Sequence, residues 1–298
     1  MSNSFVVNGF PAWSTSNELQ IVKRVRPKHK LAVYWFPILT SIFTISSFIA
    51  GYVIGVLNND EASWFSYISD GGAVVPESCI FGILLNFGGF FWILTAAAKN
   101  IHLSQFMSFH NLNGCGWAFA RWLLLLLAMA SAVGLTVVAN FQETSVPLAH
   151  GLGAWLAFFC GLFYVWTYII LTIVIKPKIA PTCLTLFRGL LALVTTLSLV
   201  IHMTTTNSPI FVKEDSNGKK PPRPKFPNHA PLKLDPSDPW FVNHLVATIS
   251  EWVLGICFLV VILTFAYELG NFTINALSTE QLAETTEDPE LKNIKPLK

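Results

Sequence analysis

Long apolar runs, nearly free of charge, alternate with short polar stretches along most of the chain. The runs are Leu31 to Leu57, Cys79 to Ala98, Trp122 to Ala139, Leu152 to Ile175, Cys183 to Met203 and Val242 to Tyr267. Each is close to the ~20 residues that an α-helix needs to cross the ~30 Å hydrocarbon of a bilayer. Because lipid offers no hydrogen bonds, a run of this kind crosses as a helix that satisfies its own backbone. The pattern therefore predicts an all-α polytopic membrane protein with six transmembrane helices. The first, fourth and sixth runs are the longest and hold no basic residue. The fifth holds Arg188, expected near a helix end with its guanidinium reaching up to the headgroups.

Composition supports this division and removes other classes. Of 298 residues, 53% are hydrophobic and only 12% charged, where an ordinary soluble domain carries about 25% charge. A soluble globular enzyme is excluded, and a net charge of +2 gives no footprint for nucleic acid. Residues 1–30 end in Lys23, Arg24, Arg26, Lys28 and Lys30, a cluster that belongs in the cytosol by the positive-inside rule. Six crossings then return the C-terminus to the same side. The domain reading is a cytosolic extension (1–30), a membrane domain (31–267) and an acidic cytosolic tail (268–298). Lys99, Lys176 and Lys178 fall in cytosolic loops, whereas the outer connections 58–78 and 140–151 carry no Lys or Arg. The third outer connection, 204–241, holds eight of the 17 prolines and six basic residues, and reads as a disordered or partly extended spacer. The sequon at Asn271 lies in the cytosolic tail and is expected to stay unglycosylated.

Three polar clusters fall on connections one, three and five or on the helices beside them. They are Tyr67 through Cys79 with Asp70 and Glu77, Asn140 through His150 with Glu143, and His244 with Glu251 on the sixth helix. Alternating crossings bring all three to one non-cytosolic face. His244 and Glu251 lie seven residues apart, on one helix face and about 10 Å apart in depth. A carboxylate within a span costs ~2.5–3.5 kcal/mol even on insertion scales, so Glu251 should face other helices and be protonated or paired. Asn86, seven residues after Cys79, reaches a similar depth and is the expected partner. The candidate lumenal polar site is Asp70, Glu77, Asn86, Asn140, Glu143, His150, His244 and Glu251. With histidine titrating near ~6.5, an acidic lumen would charge His150 and His244 and draw them toward Glu77 and Glu143.

Other motifs are weaker. Gly51 and Gly55 form a GxxxG pair, read as a close helix–helix contact. Pro76-Glu77 has the form of a helix start. The five cysteines are scattered singly, giving neither a disulfide framework nor a metal set. Two histidines among carboxylates lack any tight spacing such as HExxH, so neither a metal nor another cofactor is expected. No P-loop, nucleophile elbow or dinucleotide fingerprint is present.

At these same segments the sequence resembles the damage-regulated autophagy modulator (DRAM) family. The matching stretches are Tyr67 through Gly82, Val138 through His150, and His244 through Trp252. The resemblance implies a six-helix protein of lysosomal or endosomal membranes, linked to autophagy and cell death, with Golgi or plasma membrane as the alternative location. The wider superfamily includes factors that remodel the lipid of GPI anchors. The eight site residues carry over, but the resemblance does not assign their chemistry. The first reading is a non-enzymatic modulator of autophagy whose partners are membrane lipids or membrane proteins met by the lumenal polar face. Two others stay open: a lipid-modifying factor using a carboxylate and a histidine as acid and base, and a small transporter with Glu251 as its ion site.

Overall fold

A computed structural model describes residues 29–112, 114–226, 230–270 and 272–276. Among these residues six helices are long and apolar enough to cross a membrane: α1 (Trp35–Leu57), α2 (Glu77–Phe109), α3 (Cys115–Asn140), α4 (Pro147–Val174), α5 (Thr182–Asn207) and α6 (Phe241–Leu269). Consecutive helices pack side by side, as short connections favour, and α6 returns to pack on α1, so the six close into a ring. Many isoleucine, leucine and phenylalanine side chains, such as Ile83, Leu126, Ile170 and Leu190, point outward from it. Water would penalise that surface and hydrocarbon does not. In α4 the residues Leu156–Cys160 form one π-helical turn. Gly134 of α3 presses against it, and the Ser131 hydroxyl donates to the Ala157 carbonyl at 3.0 Å.

The two ends of the ring differ. At one, strand β1 (His29–Ala32) pairs antiparallel with strand β2 (Thr273–Ala276), His29 opposite Ala276. The sequence pattern predicted no strands; β1 takes in Leu31 and Ala32, the first two residues of the first apolar run, and β2 lies beyond the sixth run. Val33, Ala98 and Leu269 are buried beside them. The pairing places the start of α1 and the end of α6 together at this ladder end. The connections that follow α1, α3 and α5 gather at the opposite end of the ring. Of the expected 204–241 spacer, residues 204–207 belong to α5 and Phe241 to α6, and the described residues between them are extended and packed. Phe211 N donates to Asn243 Oδ1 at 3.0 Å, Lys213 N to the Pro239 carbonyl at 3.1 Å, and Trp240 Nε1 to the Pro221 carbonyl at 3.1 Å. Lys233 Nζ donates to the Asn59 carbonyl, tying this strap to the first connection.

Three expectations about charge are corrected at the ladder end. Lys99 lies within α2, which runs on to Phe109, and Glu268 lies in the last turn of α6; neither is in a loop or a tail. Arg188 does not reach the headgroups. It is 1% exposed, as is Lys99, and both pair with the Glu268 carboxylate. Tyr168 donates its hydroxyl to the same carboxylate, and Arg188 Nε donates to Thr264 Oγ1 at 2.7 Å. Charges that satisfy one another within a helix bundle have no need to extend to water. Residues 1–28 and 277–298, with the expectations about the extension and most of the tail, lie outside the described residues, as does Asn271.

Candidate functional site

The first outer connection folds back into the mouth of the ring. Its centre is a short 3₁₀ turn, Ile68–Gly72, in which Ile68, Ser69, Asp70 and Gly71 are buried. An inserted loop exposes unpaired backbone groups to an apolar interior, so each needs a partner. The partners come from around the ring. Tyr67 N donates to Asp70 Oδ2 at 3.0 Å, closing the turn on itself. Ile68 N donates to Glu251 Oε2 of α6 at 3.0 Å. The Ser69 hydroxyl donates to Glu143 Oε2 of the second outer connection at 2.6 Å. Trp252 Nε1 donates to the Ser66 carbonyl at 3.0 Å. The Tyr67 ring meets His202 of α5 and His244 of α6 edge-on, at centroid distances of 5.9 and 5.0 Å.

Glycines make room for this plug. A Cβ on Gly71 would sit 2.7 Å from the Cα and carbonyl carbon of Gly51, and a Cβ on Gly55 would sit 2.3 Å from Glu61 Oε1. The Gly51/Gly55 pair was expected to receive another helix; it receives the folded-back connection instead. Small residues admit any backbone, and the nearest one here belongs to the loop that α1 leads into.

The candidate residues thus fall into groups. Asp70, Glu143 and Glu251 converge on the plug. Glu77 is buried at the first position of α2, where its Oε2 accepts from Asn58 Nδ2 at 3.4 Å. Asn86 does not reach Glu251. Its Nδ2 donates to Asn140 Oδ1 at 3.2 Å and its Oδ1 accepts from Asn140 Nδ2 at 3.1 Å. The correction follows from the ring: α3 is the neighbour of α2 on this side, and the plug occupies the face of Glu251. His150 Nδ1 lies 2.8 Å from the Phe141 carbonyl. Among the described residues no histidine forms an ion pair with a carboxylate, so the expected histidine attraction has no contact to act through. Nor do three metal-ligating side chains come together among them. The sequence reading missed Glu61 and His202 at this end and the Lys99–Arg188–Glu268 cluster at the other, and it named Tyr67 in its first polar cluster without a role. Glu61 lies four residues past α1, and in sequence a solvated loop carboxylate and a folded-back one look alike.

Glu251→Gln should be tolerated better than Glu251→Leu, because glutamine keeps an acceptor for Ile68 N while leucine leaves that buried donor unmet, at ~1–3 kcal/mol. Thermal melting of the purified protein should show the leucine variant several degrees lower. Equal melting temperatures would mean that the plug is not held there.

The plug end also carries a pH dependence. Burial pushes the Glu61 carboxyl from 4.5 up to about 8, opposed by the Ser66 hydroxyl and helped by Glu77 and Asp60. Burial, with Glu143, Glu61 and Glu251 adding repulsion, pushes Asp70 in the same direction. A raised carboxyl holds its proton in the folded protein at a pH where the unfolded chain has lost it. Its stabilisation is therefore complete below about 4.5 and is lost as pH rises through about 8. The melting temperature should be higher at pH 5 than at pH 8, and Glu61→Gln should flatten the difference. A wild-type protein that melts higher at pH 8 would contradict the assignment.

Between α2 and α3 a lateral groove of about 700 Å³ opens outward. Ser78, Asn86, Asn140 and Gln142 line it together with Ile83, Phe87 and Phe90. Along α2 the order inward from the connection is Ser78, Ile83, Asn86, Phe87, Phe90. Six membrane-length helices closed around a polar plug, with an amphipathic groove on one flank, define a multi-pass membrane protein. Residues 32–272 match the Frag1/DRAM/Sfk1/Cwh43P N-terminal domain, and the chain belongs to that family. It is 29% identical to the mouse DNA damage-regulated autophagy modulator protein 2, over 81% of this chain and 88% of the relative. Identity to the human DNA damage-regulated autophagy modulator protein 1 is also 29%, over 82% and 93%. The zebrafish modulator of macroautophagy TMEM150B is 30% identical over 48% of this chain and 59% of its own. No solved structure matches significantly.

Proposed function

We propose that this protein modulates autophagy from an endolysosomal membrane, through lipid contacts made in the groove between α2 and α3, with the plug end lumenal and both chain ends cytosolic. The observation that carries the lipid reading is the groove's polarity. Ser78 and Gln142 lie at the connection end, the Asn86–Asn140 pair follows, and Phe87 and Phe90 continue deeper along α2, the order in which a membrane lipid presents headgroup, interfacial backbone and chain. The names of the relatives support the autophagy role. The basic cluster before α1 supports the orientation.

The reading is tested in cells that lack the protein, by measuring autophagic flux on starvation. Wild type should restore flux. Ile83→Trp, which fills the groove from an exposed position, should fail to do so at equal abundance and unchanged location. Full rescue by Ile83→Trp would remove the groove from the function.

A further inference from the structure

Resting on the lipid-contact reading, the unused hydrogen-bonding capacity of the Asn86–Asn140 pair says which lipid the groove takes. A carboxamide has two N–H donors and an oxygen with two lone pairs. The orientation of Asn140 is fixed, because its Nδ2 also donates to the Thr136 carbonyl at 2.6 Å, where a flipped amide would set oxygen against oxygen. Both Asn140 N–H groups are thereby used, one on Thr136 and one on Asn86 Oδ1. Asn86 spends one N–H on Asn140 Oδ1. Among the described contacts, one N–H of Asn86 and one lone pair on each amide oxygen are left over, and both residues line the groove. The pair asks for more donors than acceptors.

Its depth matters equally. Asn140 is the last residue of α3, so the pair sits at the outer end of that helix. The groove extends from Ser78 above it to Phe90 below it, about 18 Å along α2 at 1.5 Å per residue. A lipid seated there sets its interfacial backbone against the two amides, its headgroup toward Gln142 and a chain along Phe87 and Phe90. The ester backbone of a glycerophospholipid has acceptors only and can answer one of the three free positions. A sterol brings a single hydroxyl. A sphingoid backbone brings an amide N–H and a hydroxyl for the two oxygens and a carbonyl for the Asn86 N–H.

We propose that the groove between α2 and α3 is a binding site for a sphingoid-base lipid, selected over glycerolipids by the Asn86–Asn140 carboxamide pair. Photoactivatable sphingomyelin and phosphatidylcholine share one headgroup and differ in the backbone, so they isolate this contact. With the full-length protein in nanodiscs of defined composition, the sphingomyelin probe should label residues 78–90 about tenfold more than the phosphatidylcholine probe, as one to two net hydrogen bonds would give. Unlabelled sphingomyelin should compete and unlabelled phosphatidylcholine should not. Asn86→Leu should bring the ratio of the two probes near one. Competition on the wild type decides the matter even if that variant does not fold. Equal labelling by both probes overturns the donor selection and leaves the lipid reading standing. A photoactivatable cholesterol that outcompetes sphingomyelin also overturns the sphingoid assignment. No labelling of 78–90 by any probe removes both.

Discussion

Replacing Glu268 with alanine is expected to destabilise the protein by ~3–5 kcal/mol, the range for breaking a buried ion pair from one side. The carboxylate is shared by Lys99 of α2 and Arg188 of α5, and Tyr168 of α4 donates to it as well. Its removal leaves two cations 1% exposed and facing each other in an apolar setting, with Phe265 and Tyr168 as their neighbours. Detergent extraction followed by size exclusion should show most of the variant aggregated. Lys99→Met/Arg188→Met/Glu268→Leu should recover much of the loss, because an apolar replacement of a buried ionic group removes the desolvation penalty together with the attraction. A single variant that melts like wild type would show that the cluster does not hold α2, α4, α5 and α6 together.

The second large effect is expected at Gly71. An added Cβ would meet the Gly51 backbone at 2.7 Å, and backbone on both sides cannot move aside as a flexible side chain could. Gly71→Ala should cost roughly 1–3 kcal/mol, as overpacking does, and Gly71→Val more. The strain has one easy release, withdrawal of residues 66–72 from the mouth of the ring. Hydrogen exchange at the Ile68 amide should then accelerate, and Trp252, having lost the Ser66 carbonyl, should shift its fluorescence. Unchanged exchange in Gly71→Val would mean that the contact with Gly51 is not what seats the plug.

The spans were legible in the sequence because lipid imposes one rule on every residue of a crossing segment, and the six runs obey it. Gathering Asp70, Glu143 and Glu251 at one end needed only the alternation of crossings. Pairings were not legible. Asn86 and Glu251 reach similar depths, yet depth does not specify an angle around the ring, and Asn86 turned toward Asn140. Lys99, Arg188 and Glu268 lie on three different helices, so no local pattern joins them; each by itself looked like a residue at a membrane edge. The Gly51/Gly55 signature reported a close approach correctly but not what approaches.

The β1–β2 ladder has a bearing on how the protein can be addressed from outside. The chain leaves the bundle at both ends from one spot, with His29 beside Ala276. Anything attached before the first strand and after the second is therefore held at high effective concentration. Two halves of a split fluorescent protein, one on each terminus, should reassemble within a single molecule and at any dilution. The segments before and after the ladder are in the same way one composite address: a kinase, a lipid transferase or an adaptor recruited to one is already within reach of the other.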